Sequence, residues 1–277
     1  MHLFYVPGGG WGHGYRVATY IAQKLIHPVK VLATNPAIVP LFEEGTVELL
    51  VADEHTTKAE LQQIVYNVLE GLQPTVFYTD TFPAGIMGEL EGLIPQDWYS
   101  IHLARRVEWE AYASLITGTA IHYQKVLAVE DLHPEQQLWL QAHSDEVKDF
   151  LLHYPPANPA RIEDQAAELP HPIWLIVHTS KSEEVEHLLD YASDMARQEG
   201  VDPFYLVMSD MPISLPSRAK RVLDSKANDW FPLADRIFCG GGYNTITQVT
   251  PFAYKTKALP FPRRFDNQAE RIGRVLG

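Results

Sequence analysis

The stretch Arg236-Ile237-Phe238-Cys239-Gly240-Gly241-Gly242-Tyr243-Asn244-Thr245-Ile246-Thr247-Gln248 reads as a buried strand that ends in three glycines. A helix then starts at Asn244 or Thr245. Glycine backbone can approach an anion closely, and the first N–H groups of a helix point at it. Farther on, Pro260-Phe261-Pro262 and Asp266-Asn267-Gln268 offer polar side chains to the rest of such a ligand. The same strand, glycine turn and helix also serve many α/β proteins, so this device alone leaves the ligand open.

A second device of this kind opens the chain. Leu3-Phe4-Tyr5-Val6 is a buried strand, and Pro7-Gly8-Gly9-Gly10-Trp11-Gly12-His13-Gly14 follows it. Val17, Ala18, Ile21, Ala22 and Leu25 then recur at helical spacing. A nicotinamide cofactor is disfavoured, because the next strand runs into Thr34-Asn35-Pro36 and carries no carboxylate for a ribose. No other cofactor is expected.

Strands are expected at residues 2–6, 29–33, 47–51, 75–79, 98–102 and 125–129, with helices at 15–25, 58–71 and 105–112. Leu61, Ile64, Val65, Val68, Leu69 and Leu72 give the second helix an apolar stripe. Alternation of this kind builds parallel βαβ units and an open twisted sheet. Proline-rich, aperiodic sequence at 156–172 reads as an extended linker. A second unit then has strands at 173–178, 203–208, 236–239 and 257–260 and helices at 183–198, 244–252 and 267–276, while 217–230 is poor in helix signal. The expected domains are therefore 1–155 and 173–277, with their glycine turns facing across a cleft.

Composition narrows the function. Hydrophobic residues are 46% and charged residues 21% of the 277, as in an ordinary globular protein. Acidic residues outnumber basic ones 35 to 22, a net charge of −13, which disfavours a long nucleic acid and an anionic membrane as partners. The single cysteine, Cys239, excludes an internal disulfide and sits in an apolar run, where packing suits it better than nucleophilic chemistry. No basic leader precedes the first strand, so a signal peptide is not expected. No apolar run approaches the ~20 residues that span a bilayer, and the expected location is cytoplasmic or membrane-peripheral.

Gly9-Gly10-Trp11-Gly12-His13 resembles the opening G-G-x-G-H loop of GT-B glycosyltransferases, in particular the MurG-like members and their glycosyltransferase family 28 relatives. Ala234-Asp235-Arg236-Ile237 through Gln248 resembles their donor loop. Pro260, Pro262 and Asp266-Asn267-Gln268 resemble the proline-ended strand and polar triplet that follow it. Tyr78-Thr79-Asp80-Thr81-Phe82-Pro83-Ala84-Gly85 is similar to a loop of the first domain. The resemblance implies two Rossmann-like domains. It also implies a hexosyltransferase-type activity on a nucleotide-sugar donor, UDP-linked in the first instance, with a small-molecule or lipid-linked acceptor.

On this resemblance His13 is the candidate base for an acceptor hydroxyl, and Asp80 orients it or is itself the base. Both have structural alternatives: a loop histidine without a catalytic role, and an Asx-turn cap. Gly9, Gly10 and Gly12 would form an acceptor or phosphate loop. Gly241 and Gly242 would give backbone N–H groups to a diphosphate, with Tyr243, Asn244 and Thr245 at the helix start. Gln248 would face the nucleoside, where many family members carry an acid. The neutral amide forgoes a charge-assisted bond. Asp266, Asn267 and Gln268 would meet sugar hydroxyls, or simply start a helix with Asp266 as its cap. Glu89 belongs to the same pocket or to a solvated helix, and Arg105-Arg106 meet an anionic acceptor or lie on a helix surface. No metal is expected, since no D-x-D pair or His-x-x-x-His occurs and helix dipole and backbone can stabilise a leaving diphosphate.

The related enzymes run on into a helix that crosses back onto the first domain. With the sequence ending at Gly277, a compact version or one lacking that support is expected. Two other readings stay open: a nucleotide-sugar hydrolase or epimerase on the same fold, and a degenerate domain that binds without turnover.

Overall fold

The computed structural model describes residues 1–8, 10–49, 56–93, 98–222 and 226–277. Gly9 and the end of the expected third strand at 50–51 lie outside the described residues. The chain forms two α/β units. One comprises Met1–His153 with Arg264–Asp266, the other Tyr154–Arg263 with Asn267–Gly277.

The first unit runs β1 (His2–Val6), α1 (Trp11–Lys24), β2 (Val29–Ala33), β3 (Val47–Leu49), α2 (Lys58–Leu72), β4 (Val76–Asp80), β5 (Tyr99–Ala104), α3 (Trp109–Ala113), β6 (Lys125–Ala128), α4 (Pro134–Ala142) and β7 (Val147–Asp149). Among the described residues its sheet has the order β3-β2-β1-β4-β5-β6-β7, all pairs parallel. Strand order reverses between β1 and β4, so the ends of those two strands flank the crevice where open sheets bind ligands.

Strand periodicity sorts the core. Leu3, Tyr5 and Phe77 face the stripe Leu61, Val65 and Leu69 of α2. Phe4 points the other way and stacks on Tyr78 at 4.0 Å, with Tyr20 of α1 edge-on to both. The α2 helix starts in a capping box, Thr57 with Glu60.

The α1 helix begins four residues earlier than its apolar spacing suggests, at Trp11 with Gly10 as extended N-cap. His13 and Gly12 therefore lie in the first helical turn and not in a loop. Glycine weakens a helix but does not forbid one, and the buried face of Gly14, Arg16 and Val17 secures this turn. Arg105 and Arg106 precede α3 and are not part of a helix.

The second unit contains α5 (Glu163–Ala167), β8 (Ile173–Val177), α6 (Ser182–Glu199), β9 (Phe204–Met208), β10 (Ala219–Val222), β11 (Arg236–Gly240), α7 (Tyr243–Val249), β12 (Thr256–Leu259) and α8 (Gln268–Val275). Its sheet has the order β10-β9-β8-β11-β12, again parallel, with the reversal between β8 and β11. Segment 156–172, expected as an extended linker, folds onto this unit. Ile162 and Ala166 enter its core, and Asp229 accepts from Asn158 N at 2.7 Å and Arg161 Nε at 2.5 Å. Prolines set the local path, but those two apolar side chains decide its place.

Candidate active site

β4 delivers Asp80 to the reversal point of the first sheet. The next residue, Thr81, takes φ +65°, a conformation that β-branched residues rarely adopt. Phe82 N closes the turn on Asp80 O at 2.7 Å, and Thr81 N bonds Leu103 O at 2.9 Å. The strain is held by contacts: the Thr81 hydroxyl accepts from Arg16 Nη2 at 2.5 Å and donates to Asp80 Oδ2 at 3.1 Å.

Asp80 is the hub. Arg16 grips it in a fork, Nε to Oδ1 at 2.7 Å and Nη2 to Oδ2 at 2.6 Å, and His13 Nδ1 lies 2.6 Å from Oδ2. A carboxylate only accepts, so Nδ1 carries the proton and Nε2 presents its lone pair. Burial opposes the charge of Asp80, yet the Arg16 guanidinium and the His13 ring hold its carboxyl well below the usual range. Burial lowers the His13 pKa; Asp80 pulls it up, while Arg16 and Arg105 push it down. The net direction is down, which favours the neutral imidazole, the form with a lone pair free to accept a proton. Gly8, at φ +126°, leaves room for this ring: a Cβ there would lie 3.0 Å from Nε2.

His102, fully buried on β5, sits behind this hub. Its Nδ1 meets Thr79 Oγ1 at 2.8 Å, and that hydroxyl donates to Tyr123 Oη at 3.0 Å. Burial pushes the His102 pKa down to about 3. A lowered base contributes fully above its unfolded value near 6.5, and the contribution falls away as pH drops toward 3. We expect His102 alone to remove about 2 kcal/mol of stability between pH 7 and pH 5. Denaturant titrations at the two pH values, wild type against His102→Gln, read this as a shallower pH slope in the variant. Equal slopes would refute it.

Glu89 is neither a pocket acid nor a solvated helix residue. Fully buried, it accepts from Tyr5 Oη at 2.5 Å, Ile86 N at 3.0 Å and Met87 N at 2.7 Å, and so ties down the loop after β4.

In the second unit the glycine turn lies at the end of β11, at the reversal point. Gly241 N bonds Leu259 O at 3.2 Å and Gln268 Oε1 at 3.1 Å, so its N–H is already engaged and braces the turn. This corrects the expectation that Gly241 offers that group to a diphosphate. Gln268 is 5% exposed, and its amide oxygen also accepts from Phe261 N at 3.0 Å; that oxygen holds backbone and does not await a sugar. Gly241 has no room for a side chain, since a Cβ would strike Gln268 and Ile272, whereas at Gly242 a Cβ would point into open space. Gly242 is the N-cap of α7, Asn244 Oδ1 accepts from Tyr154 Oη at 2.6 Å, and Gln248 Nε2 donates back to Asn244 O at 3.1 Å. Thr245 is half-buried in the first turn of α7. Asn267, not Asp266, caps α8, accepting from Glu270 N at 3.0 Å. Asp266 instead accepts from Arg105 Nη1 at 2.5 Å within the first unit.

Sequence reasoning missed two groups. Arg16 stands three residues after His13, on the same helix face, and a cation amid an apolar helical face was its signal. His178 follows β8 at the reversal point; its Nε2 lies 2.6 Å from Glu184 Oε2, whose carboxylate Arg263 grips with two 2.6 Å bonds. Burial opposes the Glu184 charge, but Arg263 and His178 hold its pKa at about 2.

No protein-family model matches the sequence, and a search of curated proteins finds no match. Solved structures do match. A spinosyn forosaminyltransferase superposes with TM-score 0.62 at 14% identity, over 99% of this chain and 82% of that one. A spinosyn rhamnosyltransferase gives 0.61 at 15% identity, over 99% and 84%. The fold is GT-B. UDP-GlcNAc 2-epimerase from Neisseria meningitidis, solved with UDP-GlcNAc bound, gives 0.56 at 13% identity over 99% and 85%. These likenesses establish the GT-B fold and not the MurG-like subset that the motifs resemble. Among the described residues no helix is long and apolar enough to cross a membrane, and no group of three or more His, Cys, Asp or Glu is placed to hold a metal ion.

Proposed function

We propose that the chain transfers a sugar from a nucleotide-sugar, UDP-linked in the first instance, to the hydroxyl of a small or lipid-linked acceptor, without a metal. The observation that carries this reading is the His13–Asp80 pair at the reversal point of the first sheet. His13 Nε2 takes the acceptor proton as the hydroxyl oxygen bonds the anomeric carbon, and the bond from that carbon to the diphosphate breaks. Asp80 fixes the tautomer and stabilises the imidazolium that forms. Within the second unit, the end of β11 with Gly242 and the start of α7 is the proposed holder of the nucleoside diphosphate. A single displacement inverts the anomeric carbon.

A second reading, hydrolysis or epimerisation of the nucleotide-sugar, is favoured by the likeness to UDP-GlcNAc 2-epimerase. Water or the sugar itself then stands in place of the acceptor.

The test is thermal stability against a panel of nucleotides and nucleotide-sugars, wild type beside Gly242→Trp. A ligand bound only by the folded state at about a hundredfold excess over Kd adds roughly 2.7 kcal/mol. Because Gly242 has a φ of −64° and open space at its Cβ position, the variant should fold normally and lose the shift. No shift with any member of the panel would remove both readings and leave a binding module for other ligands. Product analysis with the active donor, with and without acceptors, separates transfer from hydrolysis and epimerisation.

A further inference from the structure

Arg264, Phe265 and Asp266 belong to the first unit, although the residues on either side of them belong to the second. Three kinds of contact hold them there. Asp266 pairs with Arg105 at 2.5 Å, the two side chains 13% and 8% exposed. The carbonyl of Phe265 accepts from Glu108 N at 3.2 Å. The buried Phe265 ring stands edge-on to Phe82 at 5.6 Å and to Tyr112 at 5.7 Å.

Those contacts lead to the candidate base. Phe82, two residues after Asp80, stacks on the His13 ring at 5.9 Å and 26°. Tyr112 fastens the same loop, accepting from Ala84 N at 2.9 Å and donating to Gly85 O at 2.8 Å. Gln136 Nε2 donates to Arg105 O at 2.8 Å and fixes the backbone from which the guanidinium reaches Asp266.

We infer that Phe265 and Asp266 are positioning residues for His13: Phe265 backs the ring on which His13 stacks, and Asp266 anchors the Arg105 guanidinium and offsets its charge. The inference rests on the proposed role of His13 for its bearing on catalysis, but its geometry does not depend on that role. Among the described residues, the charged groups that act on His13 include Asp80 from the end of β4, Arg16 one turn along α1, and Arg105 after β5. His102 lies behind Asp80 and is neutral. Asp80 favours the imidazolium, and both arginines oppose it. With Asp266 removed, the Arg105 guanidinium loses the carboxylate that it pairs with.

The experiment is an NMR titration of protein carrying isotope-labelled histidine, with the His13 signal assigned by its loss in His13→Gln. Asp266→Asn should move the His13 midpoint down by about 0.5 pH unit, and Arg105→Met should move it up by a similar amount. Asp266→Glu, which restores the charge, should return it toward the wild-type value. Midpoints unmoved in Asp266→Asn and Arg105→Met, with cooperative melting retained, would overturn the inference; if Asp266→Asn does not fold, Arg105→Met alone decides. The titration reads His13 whether or not it is a base. An unmoved midpoint therefore refutes the positioning role, whereas undiminished turnover in His13→Gln refutes the proposed function.

Discussion

His13→Gln is expected to lower kcat by about 10²–10⁴-fold on the donor identified by the ligand panel, with little change in donor binding. The reason lies in the ring's two nitrogens. Nδ1 is committed to Asp80 at 2.6 Å, so Nε2 is the atom left to accept a proton, and Gly8 keeps the space beside it clear. Glutamine retains polarity and approximate size but has no basic nitrogen. Asp80→Asn should give a comparable loss: its amide N–H₂ can face Nδ1 and thereby move the ring proton to Nε2. Steady-state kinetics on folded variants decides the matter. A His13→Gln protein that turns over the donor within threefold of wild type would sink the base assignment.

The second large effect is on stability. Asp80→Ala should destabilise the first unit by about 3–5 kcal/mol, as breaking a buried ion pair does. Arg16 is 2% exposed, and without Asp80 its guanidinium is a buried cation short of its carboxylate. Removing the cation as well should recover part of the loss, so Arg16→Met combined with Asp80→Ala should be more stable than Asp80→Ala alone. Denaturant unfolding of the two single variants and the double variant measures this. Strict additivity of the two changes would show that the fork contributes no coupling.

Much of this architecture was legible in the sequence because parallel sheets bury strands on both faces. Leu3-Phe4-Tyr5-Val6 and Ile237-Phe238-Cys239 are unbroken apolar runs for that reason, and the glycines after them mark the turns. The edge strand β10, Ala219–Val222, escaped because it pairs on one side among the described residues and carries Lys220 and Arg221 outward. At the site, the position of Asp80 at a strand end could be read directly, whereas its contact with His13 was one of several alternatives that the sequence left open. The start of α1 could not, since the five glycines from Gly8 to Gly14 hide a helix from propensity arguments. Nor could the fates of Gln268 and Asp266. Their partners Gly241, Phe261 and Arg105 are set by tertiary contacts, which a motif written along the chain does not contain.

Cys239 has a practical consequence. It is the single cysteine of the chain, lies fully buried in β11, and burial raises its thiol to about 12. Thiolate is the reactive form, so in the folded protein this sulfur is silent toward maleimides and disulfide reagents. A cysteine introduced at an exposed position therefore becomes a unique handle for a dye or spin label while the native residue stays in place.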